Sequence, residues 1–511
     1  MEKNQKMLVE TANIIAKKLD TDETYENLFK RDKGLTDLFM EKYQSLIKLT
    51  NTSGDGYIWN PDTALWEDKP ASYFLHVIQK FMESKVLFYI HKHSSGEHQD
   101  AEKIIKLTRV LDKVRDIKQA ENIFKGAKGQ LYVPDFQAKL NAISHLLPIK
   151  DQRVINLKTL ETRDRSINDL FDFEIDIDFT DDMERYDFTD ENEVTDYCKT
   201  QLPDAEKFFL QIMNGSNEIK SYLQMNLGYC LTGEINQRCI YIFWGCGSNG
   251  KSTVCDLMTK ILNKLYVAVD KKVFIKDSSS GSHTAHLIPL VGARMAVFSE
   301  SEKQEKLNEG LIKSLTGGDT ISARALYGKQ FTFKPVSKYI LLTNHKPTFD
   351  VSDQAMLDRI RYIPFNARFT DIPKKGEYKK DVPFIDKLTN QNIEQVFKWL
   401  CIGAYKFYQH IEKKKPIEVP KTLQDEKDKY ISELDSVQKF LNEKTEKTDS
   451  VKDRIDRSEL YGIFQSYCVS NGEVEIKNSE FFKRLDKLEY ESKPSNGKRY
   501  ILNIKEKEEE E

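Results

Sequence analysis

Cysteine is sparse and scattered in this 511-residue chain: Cys198, Cys230, Cys239, Cys246, Cys255, Cys401 and Cys468, with no CxxC pair. That spacing excludes a disulfide framework and a cysteine-based zinc site, and predicts reduced thiols. No apolar run approaches the roughly 20 residues of a membrane-spanning helix, so no membrane partner is expected. The opening MEKNQKMLVETANIIAKKL carries acids inside a helical pattern, which argues against a signal or transit peptide and against secretion. Charge of one sign is missing as well. Lys and Arg number 78 and Asp and Glu 81, a net −3, so any contact with nucleic acid has to come from local patches.

What is there is a chain long enough for two to four domains. With 31% charged and 39% hydrophobic residues it reads as a globular α/β protein. Residues 1–140 are mainly helical, with a hairpin at SGDGYIWNPDTALWE around Asn60-Pro61-Asp62. Residues 141–202 are strand-rich and acidic and mark a junction. A nucleotide-binding core is expected over 203–432, a small unit over 433–505 and an acidic tail over 506–511.

The stretch RCIYIFWGCGSNGKSTVCDLMTKIL, Arg238 to Leu262, carries the strongest signal. An apolar strand run stops at Gly245, passes through Cys246, Gly247, Ser248, Asn249 and Gly250, and reopens at Lys251, Ser252 and Thr253 as an amphipathic helix. This is GxxxxGK[ST] in the strand–loop–helix setting that gives the motif its meaning. Free N–H groups and the helix dipole converge on one point, which suits the phosphates of a nucleotide. Lys251 is expected to reach the β- and γ-phosphates of ATP, and the Ser252 hydroxyl to ligate Mg²⁺.

Downstream, ARMAVFSESEK runs an apolar strand into Glu300 and Glu302. One carboxylate suits the metal side and the other an attacking water; Glu300 is read as the metal-side group, with the reverse assignment open. The strand from Tyr339 to Leu342 leads to Asn344, an amide able to orient water and sense the γ-phosphate. DQAMLDRIRYIPF places Arg359 and Arg361 two apart at the entry to another strand, and a guanidinium there can stabilise transition-state charge, commonly from a neighbouring subunit. Between these motifs, LIKSLTGGDTISARALYGKQFTFKP reads as a helix ending at Gly317-Gly318 and then a hairpin. Arg324, Tyr327 and Lys329 lie near its tip, an aromatic beside cations as a sequence-blind grip on nucleic acid requires.

This order of motifs resembles the superfamily 3 helicases, and within them the poxvirus-type and phage or plasmid primase-helicases. The match covers about residues 147–370 and, more loosely, the C-terminal unit. The resemblance implies an AAA+ core, hexameric rings, ATP between subunits, and single-stranded or forked DNA gripped by the hairpin. It makes Glu300 and Glu302 the Walker B pair, Asn344 sensor 1, and Arg359 the finger acting in trans. Relatives often carry adjacent arginines where this chain reads Asp358-Arg359, which leaves Arg361 as the other candidate. It further implies replication of a virus, phage or plasmid in the host cytoplasm or nucleus, in company with a separate primase or other replication proteins.

Two further segments matter. Residues 434–505 read as a winged helix: RSELYGIFQSYCVSNG and NSEFFKRLDKL as helices, the second capped by Asn478 or Ser479, and YESKPSNGKRYILNI as a wing. Lys483, Arg484, Lys487, Lys498 and Arg499 are its candidate phosphate contacts. In FDFEIDIDF, Asp176 and Asp178 share one strand face, as the two-metal sites of primases require, yet no third carboxylate or histidine strand accompanies them. Alternation of Phe171, Phe173, Ile175, Ile177 and Phe179 describes a half-buried strand with an acidic outer face equally well. His91, His93 and His98 read as an exposed loop and not as a metal cluster. A DNA-packaging motor, a non-hydrolysing loader and a primase remain as alternative functions.

Overall fold

The computed structural model describes residues 22–95, 100–275, 285–299, 306–324, 330–351, 353–415, 417–450, 452–473, 475–495 and 497–507. The chain forms two compact units, Met1–Ile155 with Thr162–Asp176, and Asn156–Glu161 with Ile177–Glu511. The division falls inside the acidic junction.

The first unit packs helices Asp32–Tyr43, Ala71–Ser94, Ala101–Arg115 and Ile117–Leu131 around Phe39, Phe74, Ile78, Met82, Leu107 and Ile123. Asp100 and Asp116 start the last two by accepting from the Lys103 and Lys118 amides. The expected hairpin is present: Gly56–Asn60 pairs antiparallel with Leu65–Lys69. His91 and His93 lie in the last turns of Ala71–Ser94, not in a loop, because the helix runs on to Ser94; His98 lies outside the described residues.

The stretch around Asp176 is extended but joins a sheet only through one bridge, Ile149 to Ile175. Its alternation still sorts the side chains as expected. Phe171, Phe173, Ile175 and Ile177 are buried, while Asp176 points out, 83% exposed and 3.6 Å from Lys150.

The second unit is built on one parallel sheet. In chain order the elements that frame the sheet and the loop are α1 (Pro203–Ile212), α2 (Asn217–Leu231), β1 (Ile240–Trp244), α3 (Lys251–Leu262), β2 (Tyr266–Ala268), β3 (Met295–Ser299), α4 (Glu309–Gly317), β4 (Ile321–Arg324), β5 (Gln330–Phe333), β6 (Lys338–Thr343), β7 (Ile360–Pro364), α5 (Ile393–Glu412) and α6 (Lys421–Leu434). The sheet order is β7-β1-β6-β3-β2, every neighbouring pair parallel. Strands buried on both faces read as continuous apolar runs, and IYIFW, MAVFS and KYILLT do so. The register sets Leu342 beside Phe243 and Ser299, so β1, β6 and β3 end at one edge.

Two glycines let α2 and α5 lie close. A Cβ on Gly228 would stand 2.2 Å from the Ala404 nitrogen, and one on Gly403 would stand 2.1 Å from the Gln224 carbonyl oxygen. Phe209 of α1 stacks flat on Trp399 of α5, ring centroids 3.7 Å apart.

At the chain's end come α7 (Ser436–Lys444), β8 (Thr445–Lys447), β9 (Arg454–Asp456), α8 (Arg457–Asn471), α9 (Asn478–Lys487), β10 (Ser492–Ser495), β11 (Lys498–Leu502) and β12 (Ile504–Glu506). They enclose a core of Phe440, Leu460, Phe464, Phe481 and Leu485. Lys477 holds the N-cap position of α9 without a side-chain bond, so neither Asn478 nor Ser479 is the cap. The strand pair around 496–497 forms as expected and gains β9 as a third strand.

Candidate functional site

The loop from Gly245 to Gly250 sits where β1 ends, beside the end of β6. Gly247, Ser248 and Gly250 have positive φ (66°, 48° and 89°), the geometry that turns successive amides inward. Among the described residues, the backbone N–H groups of Cys246, Ser248, Asn249, Gly250, Ser252 and Thr253 have no protein acceptor. Six amides without partners around one loop and one helix N-terminus form an anion cradle.

Lys251 lies under this cradle, 7% exposed. Its ammonium donates to the Gly245 carbonyl at 2.5 Å and to Asn344 Oδ1 at 3.1 Å. Both acceptors are neutral oxygens. Burial lowers the Lys251 pKa, so the site favours an anion that would restore the charge balance. Asn344, one residue beyond β6, is thereby held against the lysine from the adjoining strand. Ser252 and Thr253 occupy the first turn of α3, Ser252 exposed and Thr253 half-buried. The loop amides and Lys251 thus have the chemistry a phosphate group would need, with the Ser252 hydroxyl exposed beside them.

Asn249 has a part that its sequence context does not show. It is 3% exposed, and its side-chain amide donates to the Phe365 carbonyl at 3.2 Å. The Phe365 amide donates to the Trp244 carbonyl at 2.7 Å, and the Phe369 amide to the Ser248 carbonyl at 2.8 Å. The segment after β7 thus staples the loop. Gly245 has to be glycine here, since a Cβ would meet Asn249 Nδ2 at 2.2 Å and the Phe365 oxygen at 2.5 Å.

The other expected residues divide. Glu300, Glu302, Tyr327 and Lys329 lie outside the described residues. The strands that lead to them are as expected: β3 runs toward the cradle edge, and β4 and β5 pair antiparallel with Arg324 opposite Gln330 at the last described rung. Arg359 and Arg361 lie at the other end of the sheet, Arg361 beside Tyr241. Arg359 donates to Thr316 Oγ1 at 3.0 Å and to the Ala355 carbonyl at 2.6 Å. Arg361 donates to the Asp358 carbonyl at 2.7 Å and faces a groove of about 530 Å³ that Lys427 also lines.

In the C-terminal unit, Lys483, Lys487, Lys498 and Arg499 are exposed. Arg484 differs in being half-buried and bonded to protein. Its Nε donates to Asp435 at 2.6 Å and a second nitrogen pairs with the same carboxylate, itself 2% exposed and capping α7. The guanidinium completes a buried structural pair. Among the described residues no three His, Cys, Asp or Glu side chains converge to hold a metal ion, and none do so around Asp176 and Asp178.

Comparison with known proteins finds relatives among large DNA viruses. A family of unknown function, DUF5906, matches residues 243–359. The "Putative helicase L207/L206" of Acanthamoeba polyphaga mimivirus is 30% identical over 52% of this chain and 28% of its own length. The "Putative helicase 121R" of Invertebrate iridescent virus 3 is 24% identical over 86% of this chain and 50% of its own length. "Primase D5" of Fowlpox virus is 26% identical over 32% of this chain and 21% of its own length. The chain therefore spans at most half the length of these relatives. Their names bear out the resemblance to poxvirus-type helicases and primases of large DNA viruses. A solved NrS-1 C-terminal region aligns over 59% of the chain at 14% identity and a TM-score of 0.35, too low to carry an argument.

Proposed function

We propose that this chain is the motor part of a replicative DNA helicase of a large DNA virus, driven by ATP and Mg²⁺. The observation that carries the reading is Lys251, buried and bonded to two neutral oxygens, one of them on Asn344 beside the next strand, beneath six amides that have no acceptor among the described residues. In this reading the parallel sheet is an AAA+ core and residues 433–505 a winged helix. The cradle holds the triphosphate, Ser252 and Glu300 hold the metal, and Glu302 directs the attacking water. Copies assemble into a ring, hexameric in the superfamily, so that Arg359 or Arg361 of one subunit meets the nucleotide of the next. The β4–β5 hairpin, with Arg324, Tyr327 and Lys329, follows the loss of phosphate and draws one DNA strand through the channel. The place of action is an intracellular viral replication site.

Names of relatives also favour a second reading, primer synthesis. That reading would use Asp176 and Asp178, both exposed, and experiment separates it from the motor reading. The test is one experiment with three readouts: ATP hydrolysis with and without single-stranded DNA, displacement of a forked duplex, and oligonucleotide synthesis. DNA-stimulated hydrolysis with displacement, both lost in Lys251→Ala, is the expected result. Stimulation by blunt duplex alone would turn the reading to a packaging motor, binding without turnover to a loader, and primer synthesis lost in Asp176→Ala to a primase.

A further inference from the structure

The cradle accounts for phosphates but not for what they are attached to. Three segments far apart in sequence close on its flank. At the end of α1, Ile212 presses on Gly250, where a Cβ would stand 2.6 Å from its Cγ2. Three residues on, the Cβ position of Gly215 is 4.0 Å from the Tyr378 hydroxyl. After β7, Phe369 is tied to Ser248 by its backbone and stacks on Tyr378 across a short parallel strand pair, centroids 5.5 Å apart with 29° between the planes. Both residues are half-buried, so neither is sealed inside the core. Arg368, 70% exposed and 3.6 Å from Glu377, stands at the edge of the pair.

From these contacts we infer that Phe369 and Tyr378 form the base-binding wall of the nucleotide site, stacking on the purine of the bound triphosphate. The inference rests on the phosphate-loop reading and adds its specificity element. The triphosphate is fixed by loop amides and Lys251, so the nucleoside must leave the loop along a flank. On this flank the chain supplies an apolar wall at Ile212 and an aromatic pair bonded to the loop itself. A flat, polarisable base gains dispersion and quadrupole energy against an aromatic face. Arg368, next to Phe369 in the chain and bonded through its carbonyl to the Tyr378 amide, would be the nearest cation for the base edge or ribose. Because Phe369 hangs on the Ser248 carbonyl, base recognition and loop geometry are mechanically joined.

The experiment is calorimetric titration of the full chain with ATP and, separately, with tripolyphosphate, which has the same anionic chain and no base. Phe369→Ala is expected to weaken ATP about tenfold, the scale of one lost base–aromatic stack, while tripolyphosphate affinity stays within about twofold. Phe369→Leu keeps apolar bulk and a folded segment but lacks the ring, and is expected to show the same selective loss. Equal weakening of both ligands, or unchanged ATP affinity in both variants, overturns the inference. A parent chain that binds neither ligand overturns the phosphate-loop reading beneath it, a distinct result.

Discussion

Replacing Lys251 by methionine separates a ligand-binding lysine from a structural one. The ammonium makes two hydrogen bonds, each from a charged donor and worth roughly 1.5–3 kcal/mol. Against them stands the desolvation of a cation 7% exposed with no carboxylate partner among the described residues, a cost of several kcal/mol. Methionine matches the volume, and exposed Asn344 can turn to water once released. The terms nearly cancel, so the variant without ligand should melt within about 1 kcal/mol of the parent, a shift of about 1–1.5 °C for a unit of this size. Ligand reverses the picture. At 100 times Kd, ATP stabilises the parent by about 2.7 kcal/mol, and this increment should vanish in the variant together with hydrolysis. Thermal denaturation with and without ATP and Mg²⁺ reads both quantities. A variant several kcal/mol less stable alone, yet still stabilised by ATP, would refute the reasoning.

Other predictions follow from packing and charge. Gly228→Ala places a methyl 2.2 Å from a backbone nitrogen of α5, so the helices must part; a loss of about 3 kcal/mol or more in urea unfolding is expected. Arg484→Ala strands the buried Asp435 carboxylate and should cost about 3–5 kcal/mol, whereas Lys498→Ala with Arg499→Ala should leave stability within about 0.5 kcal/mol and weaken DNA binding in a salt-dependent way. The hydrogen bond from Lys313 holds the Asp353 carboxyl below its ordinary value of 3.8, so its contribution is complete above that value and is lost as pH falls through the lower, folded one. Asp353→Asn keeps an oxygen to cap the short helix Gln354–Leu357; its deficit, about 0.5–1 kcal/mol for a partly exposed pair, should be present at pH 6 and shrink toward pH 3.

Local signals account for most of what the sequence discloses. The apolar run at Ile240–Phe243, the glycines after it and the helix period from Val254 are contiguous, and contiguous patterns survive folding because they need no distant partner. The same holds for the hairpin at Asn60 and the strands of β4 and β5. Residues whose part is decided by a remote partner were not legible. Asn249 meets Phe365 and Arg484 meets Asp435, yet in the linear text one is a loop amide and the other a helix cation. Alternation around Asp176 sorted inside from outside correctly, but a strand also requires a neighbour, and Ile149 supplies one bridge only. The aromatic pair Phe369–Tyr378 was missed for a related reason: its two rings meet only because a short parallel pairing brings Thr370 and Lys379 together.

The placement of the arginines constrains the proposed motor further. Arg361 pairs with Tyr241 and the Arg359 carbonyl accepts from the Ile240 amide, while the cradle begins after Trp244. At about 3.3 Å per residue that separation is roughly 10–13 Å along the sheet for Arg361 and roughly 16–20 Å for Arg359. Both guanidiniums are bonded toward Ala355, Asp358 and Thr316, away from the loop. Neither can attend its own subunit's phosphates without dismantling β7. If either takes part in hydrolysis it acts on another copy of the chain, and turnover must then rise faster than linearly with protein concentration below the assembly threshold. Mixing in Lys251→Ala subunits, which still present their arginines, should leave neighbouring intact sites active. Mixing in subunits with both arginines changed to alanine should silence intact neighbours. Equal effects of the two dopants would show that the arginines do not act across an interface.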